Sequence, residues 1–162
     1  MSVYKRYIEG LDFIRMAEFF KDDNNHLRVK ITPNDDERMD GESRHYIYAH
    51  YVEDELVYIG ESSDLLKRRM NFYCSHPGVT NERVRKYFNE QFKKKPTSDI
   101  CTFIHMPQSF YITESITINP YVAIEQALIS MLKPTLNRKD VFKYGPTKKK
   151  PRKYTRRKNE QR

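Results

Sequence analysis

Two β-rich runs sit back to back near the middle of the chain, and no other stretch restricts the fold as much. Tyr46-Ile47-Tyr48-Ala49-His50-Tyr51-Val52 is dense in aromatic and β-branched residues. Glu53-Asp54-Glu55 is a charged turn, and Leu56-Val57-Tyr58-Ile59 is β-rich again until Gly60 stops it. The pair reads as an antiparallel hairpin. Helices follow it. Ser62 or Ser63 offers a cap, Asp64 favours the first turn, and residues 64 to 73 read as helical. After the turn at Ser75-His76-Pro77-Gly78, Thr80 or Asn81 caps a second helix whose apolar stripe is Val84, Phe88 and Phe92.

The flanking segments add to this frame. Ile8, Leu11, Ile14 (or Phe13), Ala17 and Phe20 recur at three-to-four spacing, which predicts a helix within residues 1 to 21. Leu27, Val29 and Ile31 alternate with polar residues as in a short strand, and residues 33 to 44 form a polar loop. Ile100 to Met106 and Phe110 to Ile118 read as strands or extended segments. Asn119 suits the cap of a last helix, Pro120 its first position, and Pro134 forces its end. The expected fold is therefore α/β (α+β): a small mixed, mainly antiparallel central sheet flanked by helices. Three regions are expected: a helix/strand extension over 1–44, a catalytic domain over 45–140, and a basic tail over 141–162 that is disordered when unbound.

One residue breaks the pattern of the last helix. Glu125 lies four after Tyr121, three before Leu128 and seven before Leu132, so helical geometry puts it on the apolar face. A carboxylate there is costly unless it is paired, hydrogen-bonded or bound to a cation. It either meets a structural Arg, or serves as a metal ligand or catalytic group at a cleft.

Charge becomes informative once it is placed. The 162 residues include 30 Lys and Arg against 22 Asp and Glu, a net charge of +8. From Arg138 onward there are 12 basic and 2 acidic residues, net +10, so the preceding 137 residues carry 18 basic and 20 acidic, net −2. The excess is a tail suited to a polyanion. A second basic stretch, Lys67 to Lys95, holds 9 basic and 2 acidic residues. No apolar run is long enough to span a membrane, the N-terminus lacks the apolar core of a signal peptide, and a cytoplasmic location is expected. Two cysteines, Cys74 and Cys101, are too few for a disulfide scaffold or an all-Cys zinc site. Five unclustered glycines form no phosphate-cradling loop, so no nucleotide cofactor is expected. The five histidines show no metal-ligand spacing.

The hairpin and its helix resemble the GIY-YIG nuclease family. Tyr46-Ile47-Tyr48 resembles the first family element with Tyr in place of Gly, and Tyr58-Ile59-Gly60 matches the second in full. The family's Arg follows its second tyrosine by ten residues, within a Leu and Lys-Arg context that here is Leu65, Lys67 and Arg68. Arg69 also neighbours apolar positions; the family spacing selects Arg68. Glu125 and Asn137 fit the family's Glu and its Asn twelve residues on. Within the family, the segment from Ile47 to Gly60 is most similar to small phage endonucleases that attack host DNA, which implies a host cytoplasm if the chain is phage-encoded.

The resemblance implies metal-dependent hydrolysis of a phosphodiester in double-stranded DNA. Tyr48 would activate water and Tyr58 would hydrogen-bond in the same site. Arg68 would stabilise charge on the phosphoryl oxygens, and Glu125 would hold one Mg²⁺ or Mn²⁺. Asn137 would order the site or touch phosphate. A free phenol has a pKa of about 10, so a tyrosine base needs help from a cation. Glu61 departs from the family, in which many members carry Lys or His after the Gly; an acid there repels phosphate unless a cation offsets it.

Substrate contact is expected along Gly60, Glu61, Lys67, Arg69, His76, Thr80, Asn81, Arg83, Arg85 and Lys86. One such cleft cuts one strand, so duplex breaks call for a homo-oligomer (dimer or tetramer) or sequential nicking, with the N-terminal helix as a candidate contact. Two rivals remain: a non-catalytic DNA-binding module on the same scaffold, and a structure-specific nicking enzyme of repair or recombination.

Overall fold

A computed structural model describes residues 5–32, 45–114 and 116–137. The expected basic tail and the polar loop at 33–44 lie outside these residues. Eight strands and three helices follow in the order β1 (Lys5–Ile8), β2 (Leu11–Lys21), β3 (Leu27–Ile31), β4 (Tyr46–Val52), β5 (Glu55–Ser62), α1 (Leu66–Ser75), α2 (Val79–Lys94), β6 (Ile100–His105), β7 (Phe110–Thr113), β8 (Ile116–Ile118) and α3 (Tyr121–Leu132). The main sheet runs β1-β2-β6-β4-β5, with β3 also paired to β2. Every pairing among the described strands is antiparallel. The α+β class expected from the sequence is thus the class observed.

Strand β4 shows how the sheet divides the molecule. All seven of its residues are buried. Tyr46, Tyr48 and Val52 join the cluster that also holds Leu66, Met70 and Tyr73 of α1 and Val84, Phe88 and Phe92 of α2. Ile47, Ala49 and Tyr51 point the other way and pack with Leu128 and Ile129 of α3. This is the period-2 pattern of a strand buried on both faces.

The N-terminal helix expected within residues 1 to 21 is a hairpin instead. Glu9 and Gly10 both adopt positive φ (49° and 79°), the backbone of a tight two-residue hairpin turn. A bulge between Arg15 and Ala17 then shifts the phase of β2. Leu11 and Phe13 pack on the α3 side, whereas Ala17 and Phe19 pack on the α1/α2 side. Apolar residues on both faces of one bulged strand imitate helical spacing, which explains the misleading period. Residues 5–21 are committed to the sheet, so they present no helix to serve as the expected oligomer contact.

The helices lie near their expected places with different caps. Leu65, not Ser62 or Ser63, precedes α1, while Ser62 Oγ accepts a hydrogen bond from the Asp64 backbone N at 3.0 Å. Gly78, at φ 149°, precedes α2, so Thr80 and Asn81 lie inside the helix. Pro120 is the residue before α3, and Asn119 Oδ1 accepts from the Tyr121 backbone N at 3.2 Å. The chain leaves α3 through Lys133 in the left-handed region, one residue before Pro134. No described helix is long and apolar enough to cross a membrane.

Candidate active site

The hairpin's register decides where its tyrosines point. Tyr48 pairs with Gly60 and His50 with Tyr58, while the bulge after His50 pairs Tyr51 with Leu56. The bulged residue is Val57. Without it Tyr58 would stand opposite Ala49 and face α3; with it Tyr58 joins Tyr48 on the α1/α2 face. Their ring centroids are 6.1 Å apart. Gly60 makes room for both rings. A Cβ at Gly60 would lie 2.5 Å from Tyr48 Oη and 2.8 Å from Tyr58 Cε1.

Helix α1 closes this pocket with Arg69 and Tyr73, one turn apart. The Tyr48 and Tyr73 hydroxyls are 2.7 Å apart. Arg69 donates from Nε (3.0 Å) and Nη2 (2.7 Å) to Tyr48 Oη, and from Nη2 to Tyr73 Oη at 2.8 Å. Its Nη1 donates to Asn81 Oδ1 of α2 at 3.1 Å. One guanidinium thus ties both phenols to the start of α2.

Arg68 does not take this position. The buried stripe of α1 is Leu66, Met70 and Tyr73. Arg69 borders it, whereas Arg68, two residues after Leu66, points to the opposite side. Its side chain is 65% exposed and pairs with Asp64 at 3.4 Å. Tyr73, four residues after Arg69 on the same side of α1, carried no expectation from the sequence; its place one turn from a candidate Arg is the signal that points to it.

Burial dominates the titration of the cluster. It raises Tyr48, Tyr58 and Tyr73 above the ordinary phenol value, and the charge of Arg69 offsets this only in part. All three phenols are neutral at pH 7 in this state. Burial alone would lower Arg69, but the facing Tyr48 and Tyr73 oxygens outweigh it and leave the guanidinium raised and charged. Beneath Tyr58 lies His50, fully buried, stacked at 5.6 Å and bonded through Nδ1 to Thr102 Oγ1 at 2.8 Å. Burial pushes His50 down to about 3, so it is neutral.

Glu125 enters from the α3 side. It is half-buried, and burial, with the charge of Glu61 added, pushes its carboxyl up to about 7. No Lys or Arg pairs with it among the described residues, so the alternative of a structural Arg partner is not met. Glu125 also acts on Tyr58 electrostatically, raising its pKa further. The described residues contain no group of three or more His, Cys, Asp or Glu that could hold a metal. Glu125 and Glu61 are close enough to repel electrostatically, and carboxylates are the ligand type a hard divalent ion takes. Mg²⁺ is commonly held by one or two carboxylates, with water and substrate phosphate completing the shell.

Asn137 orders the backbone. Its Oδ1 accepts from the Ile59 N at 2.9 Å and its Nδ2 donates to the Ile59 O at 2.7 Å. The amide is spent on β5, between Tyr58 and Gly60, and is not turned toward a substrate.

The expected contact residues divide. Lys67, His76 and Lys86 are exposed, and Thr80, Arg83 and Arg85 are partly so. Arg85 also donates to the His76 carbonyl at 3.4 Å. Gly60 lies buried beneath the tyrosines and Asn81 is buried against Arg69. Arg69 is an interior group of the cluster rather than a peripheral one.

No protein-family model matches the chain, and no curated protein does. Among solved structures, the chain is similar to a mutant of bacteriophage T4 EndoII, with 23% identity and a TM-score of 0.60 over 78% of this chain and 92% of that one. It is also similar to restriction endonuclease HPY188I, solved in complex with product DNA, at 16% identity and a TM-score of 0.44 over 75% of this chain and 72% of that one. The likeness to EndoII is one of fold.

Proposed function

We propose that the chain is a GIY-YIG-type endonuclease that hydrolyses phosphodiester bonds of double-stranded DNA. The observation that carries this is Arg69, which binds the Tyr48 and Tyr73 hydroxyls within 2.7–3.0 Å, while the Glu125 carboxylate of α3 is near enough to act electrostatically on Tyr58. The shared fold with EndoII supports it.

The roles follow from charge and reach. Glu125, with Glu61 beside it, would hold Mg²⁺ or Mn²⁺. Held there, such a cation would supply charge neutralisation at the phosphoryl oxygens and would favour the phenolate form of the tyrosines. Tyr48 is the base that takes the proton from the attacking water. Arg69 donates two N–H groups to the Tyr48 oxygen and one to Tyr73, which stabilises negative charge on either phenol. Arg69, not Arg68, is therefore assigned the cationic role. Tyr73 shares the proton of Tyr48, Tyr58 packs against Tyr48 across Gly60, and Asn137 holds β5 in place. A cation bound at Glu125 would relieve the burial cost and the repulsion from Glu61 that raise its carboxyl, in competition with the proton at neutral pH.

Plasmid cleavage in Mg²⁺ or Mn²⁺ tests this. The parent should cut, while Glu125→Gln and Tyr48→Phe should bind DNA and fail to cut. Equal cleavage by all three would refute the site. Binding without cleavage by the parent would leave a DNA-binding module, and accumulation of nicked circles would favour a nicking enzyme.

A further inference from the structure

A second aromatic arrangement lies outside the tyrosine cluster. On the outer side of α1, the Arg68 guanidinium sits over the Phe72 ring at 5.5 Å, and Phe72 stacks on His76 with ring centroids 4.5 Å apart and 28° between planes. Arg68 and Phe72 stand one turn apart on α1, and His76, the extended residue that follows the helix, stacks on Phe72 to prolong the column. His76 is exposed, and Val79, 65% exposed, follows three residues later. The Arg85 bond to the His76 carbonyl ties the end of the column to α2.

The column borders the candidate active site. Arg68 and Phe72 are the chain neighbours of Arg69 and Tyr73. Phe72 lies only about 60° round the helix from Arg69, on the side turned away from the core. Phosphate contact needs no ring, and the nearby Lys67 and Lys86 already provide cations. A guanidinium, a phenyl ring and an imidazole stacked in sequence instead form a column of flat π-surfaces. Single-stranded nucleic acids are held by bases stacking on such side chains, with Arg contributing through its planar cation.

Resting on the endonuclease reading above, we propose that the Arg68–Phe72–His76 stack seats one unstacked nucleobase of the bound DNA, next to the phosphate being cut. The exposed face of His76 receives the base and Phe72 supports the imidazole from behind. Arg68, paired with Asp64, closes the column at its other end. The preferred substrate is then a duplex with a base already unpaired at the cleavage step, because unpairing no longer costs binding energy.

Binding in Ca²⁺ separates the possibilities. Two duplexes of the same sequence are used, one fully paired and one carrying a single unpaired 2-aminopurine. The parent should quench the 2-aminopurine and bind the unpaired duplex more tightly. His76→Ala and Phe72→Leu should each abolish the quench and weaken that binding roughly tenfold, while Phe72→Leu shifts paired-duplex affinity less than about twofold. Both positions are on the helix surface or its edge, and circular dichroism checks that the variants fold. An unquenched parent, or equal losses on both duplexes, overturns the base seat while leaving the endonuclease reading in place. Failure of the parent to bind either duplex overturns both.

Discussion

The two sides of the candidate site differ in how complete they are. On the α1 side, Arg69, Tyr48, Tyr73 and Asn81 satisfy one another through five short contacts. On the α3 side, Glu125 feels the charge of Glu61, and no Lys or Arg among the described residues pairs with it. The first arrangement is fixed in advance, as electrostatic stabilisation of a transition state requires. The second places a half-buried carboxylate without a cationic partner, and on the proposed reading a divalent cation would supply that partner.

The largest effect comes from breaking the fixed side. Arg69→Ala should lower cleavage by about 10²- to 10³-fold, whereas Arg68→Ala should change plasmid cleavage only a few-fold, as measured by single-turnover rates. The reverse order would restore the assignment expected from family spacing. Gly60→Ala forces a Cβ into the Tyr48 hydroxyl. It should destabilise the fold by about 1–3 kcal/mol in urea titrations and lower cleavage as well.

The carboxylate side should respond in the opposite sense. Folding raises the Glu125 pKa from its ordinary value of 4.5 to about 7, so the folded chain holds the proton more tightly than the unfolded chain. Stability contributed by this group is full below pH 4.5 and is lost as the pH rises to 7. Glu125→Gln should therefore stabilise the protein at pH 8 while removing cleavage. The gain is on the order of 1 kcal/mol once solvent screening of the partly exposed carboxylate is discounted. Mg²⁺ should raise the Tm of the parent at that pH and leave the variant unmoved. A Tm that falls in Glu125→Gln, with no Mg²⁺ response in the parent, would mean that the pair is not an incomplete cation site.

Particular residues show how much of this was readable beforehand. The β4–β5 hairpin and α3 followed from local pattern, and Glu125 stood out because a charge on an apolar stripe is visible in one helical turn. β2 was misread because its residues serve both faces across a bulge, so its apolar spacing carries two superimposed periods. The cationic role expected at Arg68 falls one position later, on Arg69, and Tyr73 carried no expectation. One residue in a helix is about 100° of rotation, enough to exchange an interior guanidinium for an exposed one. The placement of Asn81 against Arg69 joins two helices, and no local spacing encodes such a contact.

The sequence by itself determined the hairpin, the closing helix, the lone acid on its buried face and the separation of a basic tail from a slightly acidic body. Each depends on neighbours within a few residues. The tertiary structure decided which arginine meets the tyrosines and which face Tyr58 occupies. Those outcomes hinge on phase: a single bulged residue at Val57 turns a side chain to the other face of the sheet, and one residue in α1 rotates a cation out of the core. Only the packing of both layers against the sheet fixes that phase, because it depends on all the contacts at once.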